Sequence, residues 1–226
     1  MWFFQSHTPQ PAISRLLAGI GARNISTMNN DSTPNLVVLA GPNGAGKSTA
    51  ALVLLRGALH VDEFVNADTI ARGLSAFNPE SAALEAGRTM LKRLDELAAA
   101  RANFAFETTL ASRSFAPKLE RWIAIGYRFH LIFLWLPNAD LAVERVASRV
   151  RDGGHSVSEE IIRRRYRAGL RNFFELYKPL AFSWSLLDNS TKNAMSLVAN
   201  GGQTIETAIA LPAVWTSIES EYGHVT

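Results

Sequence analysis

Nine consecutive residues, Gly41-Pro42-Asn43-Gly44-Ala45-Gly46-Lys47-Ser48-Thr49, set glycines, an ammonium and two hydroxyls in the spacing G-x-x-x-x-G-K-[ST]. Glycines so spaced let successive backbone N–H groups turn into one concavity. A helix starting at the lysine adds the partial positive charge of its N-terminus. Such a cradle takes phosphate. Lys47 has the reach for the β- and γ-phosphates, and the Ser48 hydroxyl suits Mg²⁺. All nine residues are therefore candidate contacts for Mg²⁺-ATP.

Two carboxylates follow at positions that suit proton transfer. Asp68 ends Val65-Asn66-Ala67-Asp68, and Glu107 ends Phe104-Ala105-Phe106-Glu107, with Thr108 and Thr109 adding hydroxyls. Beside a bound triphosphate, one acid accepts the proton of an attacking hydroxyl while the other positions the acceptor or the Mg²⁺ waters. Each has a structural alternative: Asp68 also suits the N-cap of a helix beginning at Thr69, and Glu107 suits an arginine partner. The strand-end position favours chemistry for both. Guanidinium groups that screen a moving phosphoryl group come from Arg145, Arg149, Arg151 and the run Arg163-Arg164-Arg165. Arg149 and Arg151 are taken as the catalytic pair, with Gly153-Gly154 as a lid hinge and His155 equally a phosphate contact or a loop residue. Arg163, Arg167 and Arg171 recur every four residues, as on a solvated helix face. Asn189, after the last apolar run of the parallel pattern, is a candidate contact to the base of the nucleotide.

The elements that must hold these residues alternate along the chain. Strands are expected at Leu36–Ala40, Glu63–Asn66, Phe104–Glu107, Phe129–Leu136 and Trp184–Leu187. Helices are expected over Lys47–Leu59, Thr69–Leu74, Glu80–Arg101, Ala116–Ile125, Ala139–Arg151 and Glu159–Tyr177. That order predicts an α/β fold of the P-loop NTPase type, a parallel sheet flanked by helices, kinase-like. Two short apolar runs around Asn200-Gly201-Gly202-Gln203 predict a C-terminal β-hairpin turning at those residues. Trp122, Phe133, Trp135 and Trp184 fall in patterns that read as core.

Composition bounds the rest. The chain has 226 residues, 47% hydrophobic, with a formal net charge of +3 and no cysteine. Thiolate metal sites and disulfides are excluded, and the charge makes nucleic acid an unlikely partner. The strongest apolar run, Leu131–Leu136, is strand-sized, so no membrane span is expected and the location reads as cytoplasmic. Residues 1–33 read as a loosely attached N-terminal arm without acid up to Asn30, and residues 34–226 as the kinase domain. An ABC-type ATPase shares the loop Gly41–Thr49 but needs Asp-Glu after a strand, whereas Leu131–Leu136 runs into Pro137-Asn138.

From about Asn35 to Trp215 the chain resembles the zeta toxin family of bacterial phosphotransferases. The resemblance rests on the loop Gly41–Thr49, on Val65-Asn66-Ala67-Asp68-Thr69-Ile70-Ala71-Arg72, on Phe106-Glu107-Thr108-Thr109-Leu110, and on the arginine-rich segments Arg149–His155 and Arg163–Tyr166. It implies ATP-dependent phosphorylation of UDP-N-acetylglucosamine or a related nucleotide sugar, and an antitoxin protein as partner. By it Lys47 matches the phosphate-binding lysine, Asp68 the catalytic base, Arg72 a position near the substrate, and Glu107 with Thr109 the pair that holds the sugar nucleotide. The lid departs from the family's pattern of two well-separated arginines. Other acceptors stay open on the residues alone: a free sugar, another nucleotide or a polynucleotide 5′-hydroxyl. So does an ATPase or nucleotide switch without an acceptor.

Overall fold

The apolar run before the glycine loop forms strand β1, Asn35–Ala40, buried over its whole length. Leu36, Val37, Val38 and Leu39 are fully enclosed, each contributing about 1.5–3 kcal/mol of burial. Burial on both faces requires neighbours on both sides. In the computed structural model, which describes residues 33–59, 61–154, 156–191 and 194–223, β1 lies between β3 (Phe104–Thr108) and β4 (Arg128–Trp135), parallel to both. The N-terminal arm up to residue 32, and His155, lie outside the described residues.

The sheet continues outward from that centre. β2 (Glu63–Val65) flanks β3, and β5 (Ser183–Thr191) flanks β4, both parallel; β6 (Ala194–Gly202) and β7 (Ala208–Ile209) add antiparallel. The order is β2-β3-β1-β4-β5-β6-β7. The connections from β1 run to one side and then, after β3, to the other. The crevice of such a sheet opens at the carboxyl ends of the strands around that reversal, here beside β1.

The helices are α1 (Lys47–Ala51), α2 (Ala67–Leu74), α3 (Ala83–Ala99), α4 (Ala116–Ala124), α5 (Ala139–Arg151), α6 (Glu159–Asn172), α7 (Lys178–Leu180) and α8 (Pro212–Tyr222). Several continuous helices expected from periodicity are interrupted. α1 passes into a π-helical segment at Leu52–Ala58, and α6 into another at Phe173–Tyr177. A 3₁₀ turn over Pro79–Ala82 precedes α3. β5 runs four residues past Leu187, and α8 lies in a tail with no helix expected.

The C-terminal hairpin is present, but its turn is displaced. Asn200, Gly201 and Gly202 lie within β6, opposite Ser185, Trp184 and Ser183, and the β6–β7 connection follows Gly202. A Cβ at Gly202 would meet the Phe182 carbonyl, and one at Gly201 would lie 3.0 Å from the Trp184 ring. The two glycines answer a close approach rather than a turn.

Aromatic side chains fasten the tail. Trp184 of β5 stacks on Trp215 of α8 at 5.5 Å between centroids and an interplanar angle of 18°. The Lys178 ammonium sits 4.9 Å from each of those rings and 5.3 Å from Phe174, and burial holds its pKa below the usual lysine value. Trp122, Phe133, Trp135 and Trp184 are all in the core.

At the opposite, amino-terminal end of the strands His130 is buried among polar partners. Asn35 Nδ2 donates to the Thr33 carbonyl at 3.1 Å, which turns Asn35 Oδ1 toward His130 Nε2, 3.0 Å away. Nε2 therefore carries the proton, and Nδ1 accepts from the Ser183 hydroxyl at 2.7 Å. Burial, with Arg128 adding to it, pulls the imidazole pKa down to about 4.

Candidate active site

The loop at the carboxyl end of β1 uses its carbonyls on itself. Lys47 Nζ donates to the Gly41 and Pro42 carbonyls, both at 2.9 Å, Ala45 N–H closes on Pro42 O at 3.1 Å, and Ala50 N–H takes Gly46 O at 2.9 Å. Carbonyls held this way have their partners within the loop and its helix. In a glycine-rich loop of this kind it is the backbone N–H groups that receive phosphate. Gly46, the residue before α1, is in the left-handed region with φ of 82°, which a side chain would resist.

One further strand and one helix bring acids to this loop. β3 pairs with β1 through Leu39↔Glu107, so Glu107 stands at the same level as the loop's entry. Its Oε2 accepts from Ser48 Oγ at 3.0 Å and from Asn66 Nδ2 at 2.7 Å, and its Oε1 lies 3.8 Å from Lys47 Nζ. Lys47 is only 7% exposed, and burial pulls its pKa down. Glu107 and Asp68 oppose that shift, while Arg149 and Arg165 add to it. A triphosphate would supply the negative charge that keeps this lysine protonated.

Asp68 occupies the first turn of α2, where it lines the cavity, and capping is done by another residue. α2 begins at Ala67, and Asn66 Oδ1 accepts from Thr69 N–H at 3.0 Å. One side chain thus caps the helix through Oδ1 and holds Glu107 through Nδ2. In the sequence Asn66 is marked only by its spacing to Thr69, which is that of an N-cap.

A cavity of about 750 Å³ opens beside these groups. Asn43, Lys47, Asp68, Glu107, Thr108 and Thr109 form its reactive wall. Leu84, Arg88 and Leu91 of α3 and Phe115 form the far wall, and Arg164 and Arg165 of α6 reach in from a third side. Burial lowers the Arg165 pKa, and Asp68 raises it, so those two groups face each other electrostatically. Asn43 Oδ1 is buried without a hydrogen-bond partner, an acceptor set against this cavity.

The loop carrying Thr108 and Thr109 is fixed from behind. Thr108 Oγ1 accepts from Leu110 N–H at 3.1 Å, Asn172 Nδ2 donates to Leu110 O at 2.7 Å, and Tyr177 OH donates to Ser112 O at 2.5 Å. Burial pushes the Tyr177 hydroxyl up to about 12. Gly169 of α6 lies so close to the Thr109 carbonyl that a Cβ there would collide with it.

The arginines divide. Arg163 pairs outward with Asp140 at 2.6 Å and Glu159 at 2.8 Å, away from the cavity wall. Arg145 reaches behind the loop to the Asn189 and Ser190 carbonyls. Arg149 lies within electrostatic reach of Lys47, and Arg151 is exposed at the end of α5. Gly153 and Gly154 close α5, their N–H groups bonding back to Val150 O and Arg149 O. Arg72, on the exposed side of α2, donates to Thr69 Oγ1 at 3.4 Å and does not line the cavity. Ser48 and Thr49 are exposed at the start of α1. Asn189 bonds the back of the loop through Ala45 O at 2.7 Å. Arg88 and Phe115 are lining residues whose place the sequence does not mark: the i, i+4, i+7 spacing of Leu84, Arg88 and Leu91 shows one helix face but not what that face meets.

Comparison with known proteins places this architecture. The AvrRxo1-ORF1:AvrRxo1-ORF2 complex, solved with sulphate ions, superposes with a TM-score of 0.68 at 15% identity, over 94% of this chain and 71% of the other. The same pair solved with ATP gives 0.61 at 15% identity, over 95% and 73%. The PezAT chromosomal toxin–antitoxin system of Streptococcus pneumoniae gives 0.61 at 15% identity, over 98% and 92%. An uncharacterized protein of Haemophilus influenzae is 27% identical over 130 residues, 58% of this chain and 91% of the relative. The zeta toxin family model matches residues 22–183, which take in the glycine loop, both acids and both arginine-rich segments: the chain belongs to the zeta toxin family.

Proposed function

We propose that the protein is a Mg²⁺-ATP-dependent phosphotransferase that moves the γ-phosphate of ATP to a hydroxyl of a nucleotide sugar, UDP-N-acetylglucosamine or a relative of it. The observation that carries the reading is Asp68, a carboxylate on the cavity wall beside Lys47 whose helix is capped by Asn66 instead. A protein of the same fold has been solved with ATP, and another is named as a toxin–antitoxin system, which supports nucleotide binding and an antitoxin partner here. The cytoplasm supplies ATP and nucleotide sugars and is the proposed location; among the described residues no helix is long and apolar enough to cross a membrane.

In this reading the loop Gly41–Thr49 holds the triphosphate through its N–H groups, and Lys47 exchanges its bonds to Gly41 and Pro42 for the β- and γ-phosphates. Ser48 Oγ and the Glu107 carboxylate are hard oxygens 3.0 Å apart, a donor pair that fits Mg²⁺ held chiefly by phosphates and water. The ion, when bound, neutralises charge on the phosphates. Thr108 and Thr109 orient the acceptor. Asp68 takes the proton as the acceptor oxygen bonds to the γ-phosphorus and the bond to the β-phosphate oxygen breaks, leaving ADP. Arg149 and Arg151, with Arg165 on the cavity wall, screen the moving charge.

The test is mass spectrometry of UDP-sugars incubated with protein and Mg²⁺-ATP. A phosphorylated UDP-N-acetylhexosamine is expected with wild type, and about 10³-fold less with Asp68→Ala at near-unchanged ATP affinity. Full transfer by Asp68→Ala would remove Asp68 as base. ATP consumption without any phosphorylated sugar would remove the acceptor class.

A further inference from the structure

The carboxyl end of β5 is irregular where it passes the glycine loop. Its ladder with β6 shifts once between Leu186↔Ala199 and Leu187↔Leu197, shifts again after Asp188↔Ser196, and resumes at Thr191↔Ala194. Asp188 is also the last residue paired with β4, opposite Trp135. Between them, Ser190 N–H folds back to Asp188 Oδ1 at 2.8 Å. Such bulges re-aim side chains. Here the re-aimed side chain is Asn189, whose Nδ2 donates to the Ala45 carbonyl at 2.7 Å and would stand 2.8 Å from a Cβ on Gly46.

One residue from outside the strand grips the bulge. Arg145, half-buried on α5, donates Nη1 to the Asn189 carbonyl at 2.8 Å and Nη2 to the Ser190 carbonyl at 2.6 Å. The planar fork of a guanidinium fits two successive carbonyls, which an ammonium cannot span. Arg145 also approaches the loop directly, its Cβ lying 3.2 Å from the position a Cβ on Gly44 would take. The carbonyls of Gly41 and Pro42 are held by Lys47 and that of Gly46 by Ala50, and Asn189 adds a fourth by fixing Ala45 from outside the loop.

We propose that Arg145 is a positioning residue that acts through Asn189: together they brace the back of the phosphate loop, so that its N–H groups converge before ATP arrives. Arg145 is then removed from the arginines that meet the transferred phosphoryl group, and Asn189 serves the nucleotide through the loop rather than by touching its base. The proposal rests on the reading of the loop as an ATP site.

The test is a double-mutant cycle on ATP affinity, by calorimetry on the full chain, with transfer rate at saturating ATP as second readout. Arg145→Ala and Asn189→Ala are each expected to raise the ATP Kd about tenfold, with the saturated rate within about threefold of wild type. The double variant should resemble either single one, because one residue works through the other. Arg145→Lys, which keeps the charge without the fork, should recover less than half of the lost affinity. A rate loss near 10³-fold for Arg145→Ala at unchanged ATP affinity would make it a lid arginine and overturn the brace. Additive losses, or a Kd unaltered by Asn189→Ala, would overturn the route through Asn189. If wild type itself binds no ATP, the nucleotide reading fails and the brace with it. If wild type binds and the variants bind equally well, the brace alone fails.

Discussion

Glu107 accepts from Ser48 and Asn66 through one oxygen and faces Lys47 with the other. An amide in its place would keep the shape but offer one acceptor, with its NH₂ turned against an ammonium or against a donor. Glu107→Gln is therefore expected to lower the transfer rate by at least about 10²-fold while the fold persists, read by steady-state kinetics beside circular dichroism. A rate within threefold of wild type would mean that the carboxylate charge is dispensable. At this scale much was legible: the loop, both acids and the two threonines are marked by type and spacing, and the structure gathers Asn43, Lys47, Asp68, Glu107, Thr108 and Thr109 on one cavity. What was not legible is direction. Among six competing arginines the sequence has no means to say that Arg163 turns to Asp140, Arg145 to a carbonyl pair and Arg165 to the cavity.

Elements hold the acceptor side of the site at a fixed distance from the loop. α6 approaches the turn after β3 closely enough that only glycine fits at position 169, and Asn172 pins Leu110 from the same helix. Gly169→Ala would force the two apart by displacing backbone. We expect a loss of about 1–3 kcal/mol, seen as a fall of roughly 3–10 °C in Tm. The KM for the acceptor should rise more than the KM for ATP, since the displaced turn carries Thr109 and not the loop. Equal rises in both would point to general loosening. The alternation of strands and helices made the layout of these elements readable. Their interruptions were not, because the π-helical segments at Leu52–Ala58 and Phe173–Tyr177 keep a helical pattern of apolar residues while shifting their phase. The glycines at 201 and 202 carry a turn signal in sequence, and only the proximity of Trp184 and Phe182 gives them another reason.

At the scale of the molecule, the sheet keeps chemistry at one end and a buried imidazole at the other. His130 ties β1, β4 and β5 together through Asn35 and Ser183 in its neutral form. Its folded pKa of about 4 lies below the ordinary value of 6.5, so the unfolded chain takes up the proton first. The stabilisation is complete above about pH 6.5 and is lost as pH falls toward 4, with a full span of roughly 3 kcal/mol. Urea midpoints measured from pH 7.5 to 4.5 should fall in wild type and fall less steeply in His130→Gln. Parallel slopes would assign the loss to carboxylates instead.

The sheet's margins have a consequence for how the protein behaves in concentrated solution. β2 at one edge has three residues and β7 at the other has two, and β7 pairs with β6 only at Ala199 and Asn200. A second chain seeking to extend the sheet finds few free backbone groups on these two outermost strands themselves. The hazard is transferred to the unfolded chain, where Leu131-Ile132-Phe133-Leu134-Trp135-Leu136 is uncharged, rich in strand-forming side chains and fully exposed to its copies. Loss of solubility on heating or acidification should therefore track unfolding, and a nucleotide that holds the fold together would also keep the protein in solution.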